Sequence, residues 1–449
     1  MIRLTFLKLI KEKIFFFLLG LGFIIRLILM PISTHSDLFS LNFYPPLLIE
    51  NGIWDVYSYL EEKSPKLFYY PPLTYYTFAA FQFSYTFFSD SFIPWMNELR
   101  SLNEEGFKGQ APDYIIKTNN SNIFKDLFLA KVPYLLFDIL AVVVLLNFAK
   151  RKIINSKNVI IWILNPILIY NAYIFGHFDI IPLFFILLAL YFLSKNKYYL
   201  SVFILGIATA YKIYPLLFAL PIIMVYGKSP KEYFKLGIIL SLPFIISSSP
   251  TLISDPKIAI FAFTKKLFNF YHKNLSEWEI YSNAFKYSLI IFSYFLLLIF
   301  CKFSKLKNRW YLCVGTGLIT VLLLLTLVYR AHFHYLIWTA PFLVLWFKQT
   351  KKLVLLILIL SLSYASYKTL AYQLQLGLFS PLNPEFFSNL PTFNEMIDKI
   401  IPYRIISTLG FLIFSILSLY IIGNVLVEII FRSKVKIKLA NQGLRLARR

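Results

Sequence analysis

The sequence predicts an all-α, polytopic integral membrane protein of about twelve transmembrane helices, with a long external first loop carrying interfacial helices. Three observations predict it. Of the 449 residues, 58% are hydrophobic and 19% aromatic, more apolar surface than a soluble domain can hide from water. Runs such as 14–30, 132–149, 310–328 and 353–364 are nearly free of charge, and each approaches or reaches the ~20 apolar residues that span a bilayer core. The Lys and Arg residues sit in short clusters between these runs, the pattern of cytoplasmic loops. That arrangement accounts for the formal charge of +23 and excludes nucleic acid as a partner, because no basic face or nucleic-acid motif is formed. The only cysteines, Cys301 and Cys313, lie in or beside apolar runs, so there is no disulfide framework.

Arg3, Lys8, Lys11 and Lys13 precede the first apolar run and place the N-terminus inside. No small-x-small cleavage site follows Met30-Pro31, so the run reads as a retained helix. Residues 31–126 then form the external loop. Within it, 72–89 is rich in Tyr, Phe, Thr and Ser and poor in aliphatics, which suits an interfacial helix better than a spanning one. Charge agrees. Residues 90–126 carry six acids against four bases, whereas Lys150, Arg151, Lys152 and Lys157 follow the aliphatic run 132–149. Only a non-spanning 72–89 puts both segments on their expected sides.

Spans follow at about 158–175 and 180–193, returning to Lys195 and Lys197. The stretch 198–226 is too long for one span and is broken by Lys212 and Pro215, so it reads as two short helices meeting near the external face. Lys228, Lys231 and Lys235 return inside; the next helix runs to about Ser249, and 250–283 is external. Further helices alternate through Lys302–Arg309, the external turn 329–334, Lys348–Lys352 and an external 371–402. Residues 1–431 are thus one membrane domain, followed by a basic cytoplasmic tail, 432–449, held by anionic lipids. The predicted cytoplasmic segments hold 27 of the 45 basic residues and only Glu12 and Glu232 among the acids.

This topology gathers polar residues at the external helix ends: His35 and Asp37 after the first span, Tyr70, His177 and Asp179, Lys212, and Arg330, His332, His334 and Tyr335. An ionisable group in a membrane segment costs ~2.5–3.5 kcal/mol on insertion scales and therefore has a partner or a role. A carboxylate at the first boundary can take a proton from an attacking hydroxyl. Cations nearby can hold the phosphate of a leaving group, and Tyr and Phe offer flat faces to sugar rings. The plainer readings are specific too. Asp37 can cap the next helix, Asp55 is its rival as a base, Asp179 can be an N-cap, His177 an interface histidine, Lys212 a snorkelling lysine, and Asp138 a partner for a neighbouring helix.

In chain order come an acid soon after the first span, Tyr70-Pro71-Pro72-Leu73-Thr74, Asn165-Pro166, Gly176-His177-Phe178-Asp179, Tyr211-Lys212-Ile213-Tyr214-Pro215 and His334-Tyr335-Leu336-Ile337-Trp338. This order resembles the GT-C superfamily of polyprenyl-phosphate-sugar-dependent glycosyltransferases over roughly residues 30–345. Two elements resemble N-glycan-precursor glucosyltransferases and two resemble GPI-anchor mannosyltransferases and their prokaryotic relatives. The resemblance implies an inverting transfer with Asp37 as general base. Lys212 and the Arg330, His332, His334 group would face the donor phosphate, and His35, Tyr70, His177, Asp179 and Tyr335 would line the cavity. It further implies no metal or other cofactor, a polyprenyl-phosphate sugar donor, and a glycolipid, lipid-linked oligosaccharide or protein acceptor. The sequence departs from some of these families in carrying one Asp in His35-Ser36-Asp37 where they show an acidic pair. It also has a second Tyr44-Pro45-Pro46-Leu47, the later copy being favoured because an aromatic helix follows it. The competing functions are a transporter or flippase of lipid-linked saccharides, against which stand a single broken helix and no matching repeat, and a polysaccharide polymerase or ligase. Lys/Ile/Phe/Asn-rich usage points to the plasma membrane of a prokaryote, with the site on the outer face.

Overall fold

The structure, a computed structural model, describes residues 2–63, 70–107, 109–258, 277–304, 306, 308–327, 332–347, 350–368 and 376–446. Among them every regular element is helical. α1 (Ile2–Ile32) is followed by six short helices, α2 (Ser36–Asn42), α3 (Pro46–Glu50), α4 (Val56–Lys63), α5 (Pro72–Tyr85), α6 (Phe92–Glu104) and α7 (Ala111–Thr118). Then come α8 (Ile123–Lys150), α9 (Lys157–Ile163), α10 (Pro166–Ile169), α11 (Ile180–Leu193), α12 (Tyr198–Tyr211), α13 (Leu216–Tyr226) and α14 (Pro230–Ser254). The remainder is α15 (Glu277–Phe303), α16 (Arg309–Leu327), α17 (Ala340–Trp346), α18 (Thr350–Lys368), α19 (Pro384–Ser388), α20 (Phe393–Asp398) and α21 (Tyr403–Leu446). Among the described residues seven helices are long and apolar enough to cross a membrane, and four apolar segments are shorter. The protein is therefore a multi-pass helical membrane protein.

Among the described residues between α1 and α8, no helix is of spanning length. α5 has 14 residues, about 21 Å at 1.5 Å per residue, short of the ~30 Å hydrocarbon core. One face packs inward through Thr74, Tyr75, Phe78 and Gln82, while Phe83 on the other face, and Phe87 and Phe88 just beyond the helix, stay exposed. This helix ends at Tyr85, four residues earlier than the sequence suggested. Two other boundaries also move. α14 runs through Pro250 to Ser254 rather than stopping at Ser249, and α21 continues to Leu446. The expected separate tail is thus mostly an extension of the last helix, because 432–446 holds no Pro and its one glycine, Gly443, does not interrupt the backbone hydrogen bonding.

The ends of the bundle differ in chemistry. At one end the basic turns meet: Arg151 donates to the Ser194 side chain at 2.6 Å, Trp310 to the Leu190 carbonyl at 2.8 Å, and Arg309 sits 5.7 Å from the Tyr226 ring centre. Midway, α1 and α8 are joined by Arg26 and Asp138, 2.6 Å apart and fully buried, as the mid-span position of Asp138 led one to expect. Trp162 and Tyr173 donate to the same carboxylate at 2.8 and 3.0 Å. Toward the other end, Lys131 of α8 donates to the carbonyls of Ser33 and Tyr173. It thereby ties the end of α1 to a single π-helical turn, Tyr170–Phe175.

Candidate functional site

The site is assembled where that π-turn ends. Gly176 closes the turn with φ of +77°, and a Cβ there would come within 3.1 Å of Leu38 on α2. Only glycine accepts both the left-handed backbone and the close approach, so this residue brings the His177 loop against the helix that carries Asp37. Tyr134 donates to the Gly176 carbonyl at 3.0 Å, and the His177 amide donates to the Asn171 carbonyl at 2.9 Å.

Asp179 starts α11, yet its side chain makes no capping bond. The carboxylate turns inward, fully buried, 2.8 Å from Lys212 Nζ and 3.2 Å from His177 Nδ1. The capping alternative is therefore not taken. Lys212 reaches this place because α12 ends at Tyr211 and Lys212 leaves the helix with extended φ and ψ of −155° and 141°. Thr74 and Thr77 of α5 fix the break by bonding to the carbonyl and hydroxyl of Tyr211 at 3.1 and 2.7 Å. The ammonium group sits within 5.0–5.6 Å of the ring centres of Phe178, Tyr335 and Trp338, a cation–π box.

The histidines stack beside this pair. His334 lies 4.4 Å from His177 and 5.3 Å from His332, ring centre to ring centre. Asn171 donates to the His334 carbonyl at 3.1 Å. Tyr70 Oη is 3.4 Å from His177 Nε2. His35 stacks at 3.9 Å on Phe175, caps α2, and accepts the Asp37 amide proton at Nδ1.

Asp37 itself keeps 37% of its side chain exposed and opens into a cavity of about 270 Å³. Burial pushes its carboxyl up, but neighbouring His35, His177 and His332 pull it further down, to about 2. Burial likewise pushes Asp179 up, and Lys212 and His177 hold it below the ordinary carboxylate range. His177 is lowered by burial, which favours the neutral imidazole at neutral pH.

The structure thus brings together Asp37, His35, Tyr70, His177, Asp179, Lys212, His332, His334 and Tyr335. Arg330 lies outside the described residues. Asp55 is elsewhere, bonded to Ser58, Thr251 and Ser254 between α4 and α14, so it is a tie and not a rival base. Sequence reasoning missed Phe178, Trp338, Asn171 and Lys131. The first two lay inside quoted motifs, and a lysine midway along an apolar run was itself a signal.

Two buried polar atoms in this cluster, His334 Nδ1 and Trp338 Nε1, have no hydrogen-bond partner, and Asp179 Oδ2 and His177 Nδ1 face only each other at 3.2 Å. Buried polar atoms are paired in the great majority of cases, so these are free to bond to a ligand that enters the cluster. Asp179, His177 and His334 set one ligating atom each within 4.8 Å of one another. A cation could be held there only by competing with Lys212, already on Asp179. A phosphate would meet Lys212, the imidazoles and the Trp338 N–H.

Fold and site together define a multi-pass helical membrane protein with a buried, partly unsatisfied ionic cluster at one end of its bundle. Residues 113–328 match the family model described as GPI transamidase subunit PIG-U. Over 101 residues the chain is 34% identical to GPI mannosyltransferase 1 of Kluyveromyces lactis, covering 22% of this chain and 25% of that protein. It is 35% identical over 97 residues to the protein of that name from Eremothecium gossypii, covering 20% and 23%. For the Saccharomyces cerevisiae protein the identity is 29% over 97 residues, covering 21% and 24%. The chain matches about a quarter of the length of these curated relatives. No solved structure matches it. These likenesses, to a GPI transamidase subunit family and to GPI mannosyltransferases, each cover less than half of the chain. The three relatives are eukaryotic, so they lend no support to the expected prokaryotic plasma membrane.

Proposed function

We propose that the protein transfers a sugar from a polyprenyl-phosphate donor to an acceptor hydroxyl, on the non-cytoplasmic face and with inversion. The observation that carries this reading is a hydroxyl-accessible carboxylate, Asp37, within electrostatic reach of Lys212 and His332 at the same helix ends. The Asp37 carboxylate orients the acceptor hydroxyl and takes its proton as the oxygen–anomeric-carbon bond forms. A carboxylate held near 2 is a weak base toward a free alcohol, so the proton moves late, once bond formation has acidified the hydroxyl. The bond from anomeric carbon to phosphate oxygen breaks, and its electron pair leaves with the polyprenyl phosphate. Lys212, held by Asp179, together with His332 and His334, stabilises the charge developing on that phosphate. Attack from the side opposite the phosphate gives inversion.

The relatives' names suggest mannose as the sugar and a GPI-type glycolipid as the acceptor. The test is transfer by purified protein from polyprenyl-phosphate mannose to glycolipid acceptors, read by product mass. Product is expected with the wild type and none with Asp37→Asn at equal expression; full activity of that variant would remove Asp37 from the mechanism. A second reading, favoured by the family model over 113–328, is a subunit of a GPI-handling assembly in which the cluster binds the glycolipid without transfer. Specific binding of the lipid by a wild type that never yields product would decide for it.

A further inference from the structure

A larger cavity, of about 1150 Å³, opens between α1, α8, α9, α10 and α18. It lies at the basic end of the bundle, away from Asp37. From Glu12 on its rim, α1 runs about 30 Å, at 1.5 Å per residue, before it ends at Ile32. Ile160, Leu164 and Ile357 belong to an apolar wall. Ile14 and Phe16 of α1 and Leu358 of α18 flank the opening and stay exposed, so the cleft opens toward the hydrocarbon around a helix of spanning length.

Two observations show that hydrocarbon alone does not complete it. Lys150, in the last turn of α8, and Lys157, at the start of α9, stand exposed on the rim, where Glu12 is the one carboxylate among the described lining residues. Deeper in, Asn165 lines the cleft and is only 2% exposed. Its Oδ1 accepts the Ile167 amide proton, which fixes the side chain and leaves Nδ2 buried without a partner. Few buried N–H groups are left so, and the Asn165-Pro166 element plays no part in the transfer reading. An apolar helix from another protein would cover the walls, yet its backbone carbonyls are bonded internally and it brings no anion to the lysines. A polyprenyl phosphate brings the anion but no acceptor along its chain. A glycerophospholipid brings both, a phosphate and ester carbonyls between that phosphate and its chains. Asn165 lies eight residues beyond Lys157, roughly 12 Å at helical rise, a span that the four-carbon lysine stem and the lipid's glycerol bridge together.

We propose that this cleft binds one anionic glycerophospholipid from the leaflet at the basic end of the bundle. Its phosphate rests on Lys150 and Lys157, an ester carbonyl accepts from the Asn165 amide, and an acyl chain fills the gap between α9 and α18. The site is separate from the Asp37 cavity and does not depend on sugar transfer.

The experiment strips the purified full-length protein of lipid in detergent. It is then titrated with dioleoyl phosphatidylglycerol, the diether analogue of that lipid, dioleoyl phosphatidylcholine and a polyprenyl phosphate. Binding is read by native mass spectrometry and by the shift in melting temperature. Phosphatidylglycerol should bind about tenfold more tightly than the zwitterionic lipid, and about threefold to tenfold more tightly than the diether, the effect of one hydrogen bond. Lys150→Gln combined with Lys157→Gln should erase the first preference. Asn165→Thr, which keeps an oxygen to cap α10, should erase the second, and Leu164→Trp, which fills the cleft, should remove both. Equal binding of phosphatidylglycerol and phosphatidylcholine by the wild type, or of diester and diether, overturns the assignment whether or not the variants fold. Polyprenyl phosphate binding as tightly as phosphatidylglycerol overturns it in favour of that lipid. Both preferences surviving in Leu164→Trp would place the lipid elsewhere on the protein.

Discussion

Among the described residues two buried ionic clusters sit in this bundle, and they are built differently. Around Arg26 and Asp138 both carboxylate oxygens are engaged, by the guanidinium, Tyr173 and Trp162, and the guanidinium also donates to the Gly22 and Ile163 carbonyls. Around Asp179 and Lys212, His334 Nδ1 and the Trp338 indole N–H have no hydrogen-bond partner, and Asp179 Oδ2 and His177 Nδ1 have only each other. The first cluster engages both carboxylate oxygens and staples α1, α8 and the π-turn, although Arg26 Nη2 is left without a partner. The second is left open toward the end of the bundle where Asp37 stands. What sets the second apart is its place beside the accessible Asp37 carboxylate, with more unfilled bonding capacity around it.

Asp37→Asn should sharpen the contrast most. Transfer per folded molecule should fall ~10²–10⁴-fold, with only a modest loss of melting temperature at neutral pH from the lost carboxylate–His35 interaction. Arg26→Met should show the reverse: a loss of ~3–5 kcal/mol from an uncompensated buried charge, read as a lower melting temperature in detergent, with transfer per folded molecule kept. Adding Asp138→Leu should recover much of that stability. Should Arg26→Met leave the melt unchanged, the staple is no staple. Lys212→Ala should raise the donor KM about 10–100-fold, matching the ~1.5–3 kcal/mol of a charged hydrogen bond, and leave the acceptor KM alone. An acceptor effect from Lys212→Ala would merge the two sides of Asp37.

The pH dependence follows from the depressed Asp37 carboxyl. Its folded value of about 2 lies below the ~3.9 of an unfolded aspartate. Its stabilisation is then fully present above the unfolded value and is lost as pH falls toward 2. Between pH 5 and 8, neither the melt nor the transfer rate should change through this group. An acid limb near pH 5 that shifts in His35→Gln would show a far less perturbed carboxylate. The smallest effect belongs to Asp55→Asn. It should change transfer less than about twofold, because this residue only ties α4 to α14 through hydroxyl groups.

Much of the fold was legible because a bilayer imposes simple arithmetic. Long apolar runs, clustered Lys and Arg, and the break at Lys212 and Pro215 could be read directly, and the helices follow them. The site was legible in part for the same reason: once the helix ends are sorted, Asp37, His177, Lys212 and His334 fall on one side whatever their separation in the chain. Their order matched a family pattern besides. Trp338, Asn171 and Lys131 were harder, since an aromatic, an amide or a lysine in an apolar run has several plausible partners and only packing selects among them.

The sequence by itself determined that the protein spans a membrane many times, where its helices break and which ionisable groups share an end, because hydropathy and charge act locally along the chain. Only the tertiary structure decided that Asp179 bonds Lys212 instead of capping α11, that Asp138 is silenced by Arg26, and that Gly176 presses the His177 loop onto the helix of Asp37. Those outcomes depend on distances of a few ångströms between segments far apart in the chain, where a short-range hydrogen bond forms or fails, and no local pattern encodes such distances.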